Sequence, residues 1–291
     1  MSVMTIKTFP LGGDLTINRL GFGAMRLAMG TFAGPARDPE TGIAVLRRAV
    51  ELGVNHIDTA GFYGRDAVWA NDLIRRALTP YRDDLVLATK VGPLPGPHGV
   101  PIGHATAEQL RGLVEADLRA LGLDRLDLVY LRAGGTTEPG GESIAERFAA
   151  LAELRTEGLI RHLGVSNVDT SQLAEARSIA PVAAVQNRHT GLPPAAPEEA
   201  GIAHVPYFPL GGGVDGGPHH PERLASVAAR LGATPAQVAI AALLATSPTA
   251  LAIPGTGSLA HLEENLATDE LTLTDEDLSE LRGRRVGPGS P

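Results

Sequence analysis

The chain has 291 residues, 43% of them hydrophobic and 20% charged, with 35 Gly, 22 Pro and no Cys; this is globular composition with many loops, and the missing thiols exclude disulfides, cysteine nucleophiles and thiolate zinc sites. Its 33 acidic and 25 basic residues give a formal net charge of −8, which excludes a global attraction to nucleic acid or to an anionic bilayer and obliges any anionic ligand to find a local basic site. The opening MSVMTIKTFP carries neither an apolar signal core nor an Arg-rich amphipathic pattern, and no apolar run reaches the ~20 residues of a membrane span, so a cytoplasmic protein is expected.

In chain order, Ile6–Phe9 and Leu15–Ile17 flank Gly12-Gly13-Asp14 and predict a hairpin placed to plug the bottom of a barrel. Eight short apolar runs then predict strands at Asn18–Gly23, Asn55–Asp58, Leu85–Lys90, Leu126–Leu131, His162–Ser166, Val182–Gln186, Ala203–Phe208 and Leu251–Pro254. Amphipathic stretches of helical length separate them. Several open on a side chain able to satisfy orphan N–H groups: Thr106 with Gln109, Ser143 with Glu146, and Thr234 with Pro235 and Gln237. The last helix is expected over Asp275–Arg285. Strict β/α alternation implies a parallel sheet with right-handed crossovers, and eight units in about 250 residues fit a (β/α)8 TIM barrel with an N-terminal β-hairpin better than a doubly wound sheet. No charge run or low-complexity linker divides the chain, so residues 1–291 are expected to form one domain. Gly21-Phe22-Gly23 supplies only the first two glycines of a Gly-x-Gly-x-x-Gly turn and reads as a tight strand end, which disfavours a Rossmann domain.

Polar residues unsuited to a barrel core recur where the predicted strands end: Asp58, Lys90, Arg132, and Ser166 with Asn167. In a barrel all strand C-termini open on one face, so these residues converge, and Asp58 and Lys90 offer each other the partner that a buried charge requires.

Gly21-Phe22-Gly23-Ala24, Asp58-Thr59-Ala60-Gly61-Phe62-Tyr63-Gly64, Lys90, Gly164-Val165-Ser166-Asn167, Tyr207-Phe208-Pro209-Leu210-Gly211, and Ile253-Pro254-Gly255-Thr256 through Glu264-Asn265 resemble, in order and spacing, the motifs of the aldo-keto reductases. The resemblance covers essentially the whole chain, and within the superfamily the sequence is similar to a bacterial group that includes pyridoxal reductases. It implies reduction of an aldehyde or ketone by hydride from NADPH, with Tyr63 giving the proton. A free phenol, pKa ~10, is a reluctant donor at neutral pH; a neighbouring Lys90 eases its ionisation, and Asp58 keeps Lys90 charged and oriented. The structural alternatives are a turn cap for Asp58, a half-buried aromatic for Tyr63 and a snorkelling stem for Lys90.

The sequence departs from the family at Arg132, where most members carry His. Arg stays protonated and cannot shuttle a proton, but its fork can hold an oxyanion or an anionic substrate group; the alternative is an Arg paired to an acid away from the substrate. The resemblance further assigns Ser166, Asn167 and Gln186 to the nicotinamide carboxamide and Tyr207 to stacking on the ring. Gly23, Leu210 and Gly211 are placed along the cofactor, with Leu210 and Gly211 near the diphosphate. Phe208 replaces a common Ser, which removes one diphosphate contact. Thr256, Ser258, His261, Glu264 and Asn265 fall at the adenosine 2′-phosphate, with Ser258 equally readable as an ordinary helix cap. Two family cations are absent there: Gly255 stands for Lys and His261 for Arg.

No histidine group forms a metal triad, and His219-His220 beside Asp215 reads as a solvated loop. Val91–Ala105 and Gly211–Pro221 are expected to rim the pocket, and the short C-terminal segment to leave it open. A second reading is an NADPH-binding regulatory or sensor protein with little turnover; a third, a barrel hydrolase or isomerase, lacks paired carboxylates or a metal constellation. The sequence sets neither the oligomeric state nor the identity of the carbonyl substrate.

Overall fold

The computed structural model describes residues 7–30, 34–96, 101–135, 139–189, 201–210 and 220–283. Strands β1 (Thr8–Leu11) and β2 (Leu15–Asn18) pair antiparallel, with Leu11 opposite Leu15 and Thr8 opposite Asn18. Gly12 and Gly13 turn the chain at φ 62° and 89°, a region that L side chains resist. Phe9, Leu11 and Ile17 point inward and pack with Val86, Leu128, Tyr130 and Leu251 of the barrel interior. The expected plug is therefore present. Asn18 belongs to this hairpin rather than to the first barrel strand: it pairs with Thr8, and its side chain reaches Gly53 O at 2.8 Å.

The elements that follow are β3 (Phe22–Gly23), α1 (Met25–Ala28), α2 (Pro39–Glu51), β4 (His56–Asp58) and a small antiparallel pair, β5 (Gly64–Arg65) and β6 (Val68–Trp69). Next come α3 (Ala70–Leu78), β7 (Val86–Val91), α4 (Ala107–Leu121), β8 (Leu126–Arg132), α5 (Ala145–Thr156), β9 (Ile160–Ser166) and α6 (Thr170–Ile179). The chain continues through β10 (Val182–Gln186), β11 (Ala203–His204), α7 (Pro221–Leu231), α8 (Pro235–Leu244), α9 (Leu259–Leu266) and α10 (Asp275–Leu281). In space the parallel sheet runs β3-β4-β7-β8-β9-β10-β11.

The eighth predicted strand is reduced to single bridges, Ala250 with His204 and Ala252 with Leu20. Leu251 N donates to His204 O, Ala252 N to Arg19 O and Gly21 N to Ala252 O, each at 2.8 Å. These bonds join β11 back to β3 and close a (β/α)8 barrel. Arg19, buried at the seam, donates to the carbonyls of Ala250 (2.9 Å), Leu244 (2.5 Å) and Ser247 (2.6 Å). Gly23 is required by the same closure, because a Cβ there would stand 2.7 Å from Ile253 O. The Gly-x-Gly step is thus a packing feature of the barrel.

Thr106 with Gln109 and Thr234 with Gln237 form reciprocal capping boxes. Ser143 and Glu146 do not. The Ser143 hydroxyl accepts from Ala145 N (3.2 Å) and donates to Glu175 (2.7 Å), and Glu175 itself caps Ile144 N at 2.7 Å; a carboxylate from the next helix is a stronger acceptor than the local hydroxyl. Helix α10 ends at Leu281, and Arg285 lies outside the described residues, as do Gly211 and His219. Among the described residues no single helix is long and apolar enough to cross a membrane.

Candidate active site

Lys90 leaves the end of β7 with its side chain wholly buried. Its ammonium donates to Asp58 Oδ1, at the end of β4, and to Thr59 O at 3.0 Å. It also bonds the Tyr63 hydroxyl and lies 4.9 Å from the Tyr63 ring centre. Burial alone would depress the Lys90 pKa, but Asp58 and Tyr63 outweigh it and hold Lys90 above the ordinary lysine value. The second Asp58 oxygen accepts from Gln186 Nε2 at 2.7 Å. Gln186 closes β10, so three strand ends and the loop after β4 meet at one point. Tyr63 is braced edge-on by Phe62, ring centres 5.2 Å apart.

A buried relay behind this group ties the loop after β4 to α3, α4 and β7. Thr59 Oγ1 donates to Asn71 (2.7 Å), Asn71 Nδ2 to Asp117 Oδ1 (3.0 Å) and Thr89 Oγ1 to Asp117 Oδ2 (2.6 Å). Burial pushes the Asp117 carboxyl up to about 7 against the Thr89 and Asn71 bonds and the Lys90 charge, which act to lower it. Asp117 is absent from the residues that the sequence singles out. Its signal is a lone acid at the helical spacing of Leu110, Val114 and Leu121, the buried face of α4.

Arg132, at the end of β8, is in register with Ser166 of β9 and donates to its hydroxyl at 3.3 Å. Its guanidinium lies 5.1 Å over the ring of Tyr207. The Tyr207 hydroxyl donates to Asn167 Oδ1 at 3.1 Å, and Asn167 Nδ2 reaches Ala133 O (3.1 Å) and Gly135 O (3.0 Å). Asn167 takes φ 57°, a region that Asn tolerates better than most residues. Ser166, Asn167, Gln186 and Tyr207 are therefore brought together beside Arg132.

Two cavities meet at Tyr63, Gln186 and Tyr207. One extends past Gly23, Leu210 and Pro254 to Gly255. The other, about 510 Å³, opens toward Met29, Phe62, His104 and Arg132. Beyond Gly255 the groups separate. Thr256 Oγ1 accepts from Ser258 N (3.1 Å) and Ser258 Oγ from His261 N (3.4 Å), the cap of α9. Glu264 turns toward α8, where it accepts from Thr234 Oγ1 at 2.7 Å, and Asn265 is buried. His261 stands exposed on the first turn of α9. Among the described residues no three His, Asp or Glu side chains cluster as metal ligands would.

Residues 19–284 match the Aldo/keto reductase family. The chain belongs to that family. It is 46% identical over 288 residues to pyridoxine 4-dehydrogenase of Escherichia coli, an alignment spanning 96% of this chain and 99% of that protein. Among solved structures it is similar to a thermostable aldo-keto reductase crystallised with the inhibitor epalrestat, at 28% identity and TM-score 0.78 over 96% of this chain and 99% of the other. A Klebsiella pneumoniae aldo-keto reductase in complex with NADPH aligns at 26% identity and TM-score 0.76 over 96% and 95% of the two chains.

Proposed function

We propose that this aldo/keto reductase is a cytoplasmic, single-domain enzyme that reduces an aldehyde or ketone at the expense of NADPH, with an aromatic aldehyde of the pyridoxal type as its substrate class. The observation that carries this reading is the buried ammonium of Lys90 held between Asp58 and Tyr63 where the two cavities meet.

The residues fit a nicotinamide coenzyme. Gln186 Oε1 is buried without a hydrogen bond of ordinary geometry, an acceptor suited to a carboxamide N–H; Ser166 offers a hydroxyl beside it, and the pinned Tyr207 ring offers a stacking surface. When bound, NADPH supplies the hydride. The protein's part is the proton. Tyr63 donates to the carbonyl oxygen as negative charge builds there, and Lys90 holds the charge left on the phenolate. Asp58 keeps Lys90 protonated in a site where burial favours the neutral amine, and Gln186 fixes the Asp58 carboxylate from its other oxygen.

The pyridoxal lead is supported by the 46% identity to pyridoxine 4-dehydrogenase and by Arg132, whose permanent cation lines the second cavity where the phenolate of such a ring would meet it. The experiment is a fluorescence titration with NADPH and NADH followed by turnover on a panel of aldehydes including pyridoxal, with Tyr63→Phe alongside. NADPH binding with turnover that collapses in Tyr63→Phe is expected. Binding without turnover on any carbonyl would replace this reading with that of a sensor, and failure to bind either dinucleotide would end it; turnover without preference for pyridoxal over other aromatic aldehydes would remove the substrate class alone.

A further inference from the structure

The loop Gly255–Ser258 contributes two hydroxyls but no cation, and the structure brings one to it from the opposite side of the barrel seam. Arg37 follows the antiparallel bridge of Met29 with Ala36, and its N–H donates to Ala28 O at 3.1 Å. So anchored, its side chain lies flat against Gly257: a Cβ built there would stand 2.7 Å from Arg37 Cδ, 2.8 Å from Nε and 2.9 Å from Cζ. Only glycine permits this approach. Arg37 Nε is buried and makes no hydrogen bond. Arg26 arrives from the cleft side, donating to Gly30 O at 2.7 Å while lining the cavity that ends at Gly255. Gly30 in turn sits beside Arg37, a Cβ there falling 3.6 Å from Nε. Burial and the neighbouring Arg37 charge both hold Arg26 below the ordinary arginine range. Two cations forced together repel each other, and a bound dianion reverses that cost.

We propose that Arg37, laid on Gly257, the residue between Thr256 and Ser258, is the cation that receives the 2′-phosphate of NADPH, with Arg26 as the second positive charge on the cleft side. The pair replaces the Lys and Arg that this chain lacks at Gly255 and His261. The inference rests on the carbonyl reductase reading and makes coenzyme choice a property of the segment after α1 rather than of the closing loop.

The test is the dissociation constant of NADPH and of NADH, measured by fluorescence on the whole protein and on Arg37→Gln. For the variant, NADPH is expected to bind roughly 10- to 100-fold more weakly, the worth of a lost charge-assisted contact, with NADH unchanged. Gly257→Ala, which pushes the guanidinium off the loop while leaving the charge in the protein, should give the same selective loss and covers the case in which Arg37→Gln fails to fold. An unchanged NADPH constant overturns the proposal. Equal weakening of both dinucleotides also overturns it, because that pattern belongs to the diphosphate. If the unmodified protein binds neither dinucleotide, the reductase reading fails first, an outcome visible before any variant is made.

Discussion

Lys90 remains an ammonium in the driest part of the barrel only because Asp58 and Tyr63 are beside it. Arg132 is a fixed charge that lines the second cavity, with Ser166 and Tyr207 among its contacts. Arg132→Ala is expected to raise the Michaelis constant for pyridoxal about 10-fold while leaving NADPH affinity unchanged, and Arg132→Lys to recover little, because a point charge neither stacks nor forks. Steady-state kinetics beside a coenzyme titration checks this; an unchanged Michaelis constant would show that Arg132 never meets the substrate. These residues were legible in the sequence because a charge that closes an apolar strand is costly to bury and must meet a partner or a ligand. Asp117 was not. Its neighbours Thr59, Asn71 and Thr89 lie far from it in sequence and are brought together only by the packing of α3, α4 and β7.

Elements of the barrel were legible wherever their period was local. The strands β7, β8, β9 and β10 fall within a residue or two of expectation, and capping boxes stand where Thr and Gln are three apart. The failures are long-range: Glu175 displaces the Ser143 box, and the last strand is spent on two bridges. Gly164 shows the tolerance involved. A Cβ at this position of β9 would fall 2.6 Å from Tyr130 Cδ1 and 2.9 Å from Ala184 O, so both neighbouring strands would have to move. Gly164→Ala is expected to destabilise the protein by about 1–3 kcal/mol. Thermal unfolding measures it, and a melting temperature equal to that of the parent would mean that the strands yield without cost.

For the molecule as a whole, two buried groups pull the pH dependence of stability in opposite directions. His56 is held at about 4, below its ordinary 6.5, chiefly by burial; the unfolded chain takes up this proton first, so stability falls as pH drops from 6.5 to about 4. Asp117 is raised from 3.8 to about 7, again chiefly by burial; the folded protein keeps that proton longer, so its contribution is lost as pH rises from 3.8 through 7. Between pH 4 and 6.5 the two oppose each other. Asp117→Asn abolishes the second, and its urea midpoint should climb with pH across this window more steeply than that of the parent; parallel profiles would refute the assignment. The seam of the barrel has a consequence in time. Arg19 bonds carbonyls 225, 228 and 231 residues further along the chain, so its contacts wait on one of the longest loop closures in the fold and are expected to form late in assembly. Arg19→Met should therefore speed unfolding while leaving the refolding rate almost untouched, since an interaction formed after the rate-limiting barrier acts on escape from the native state alone.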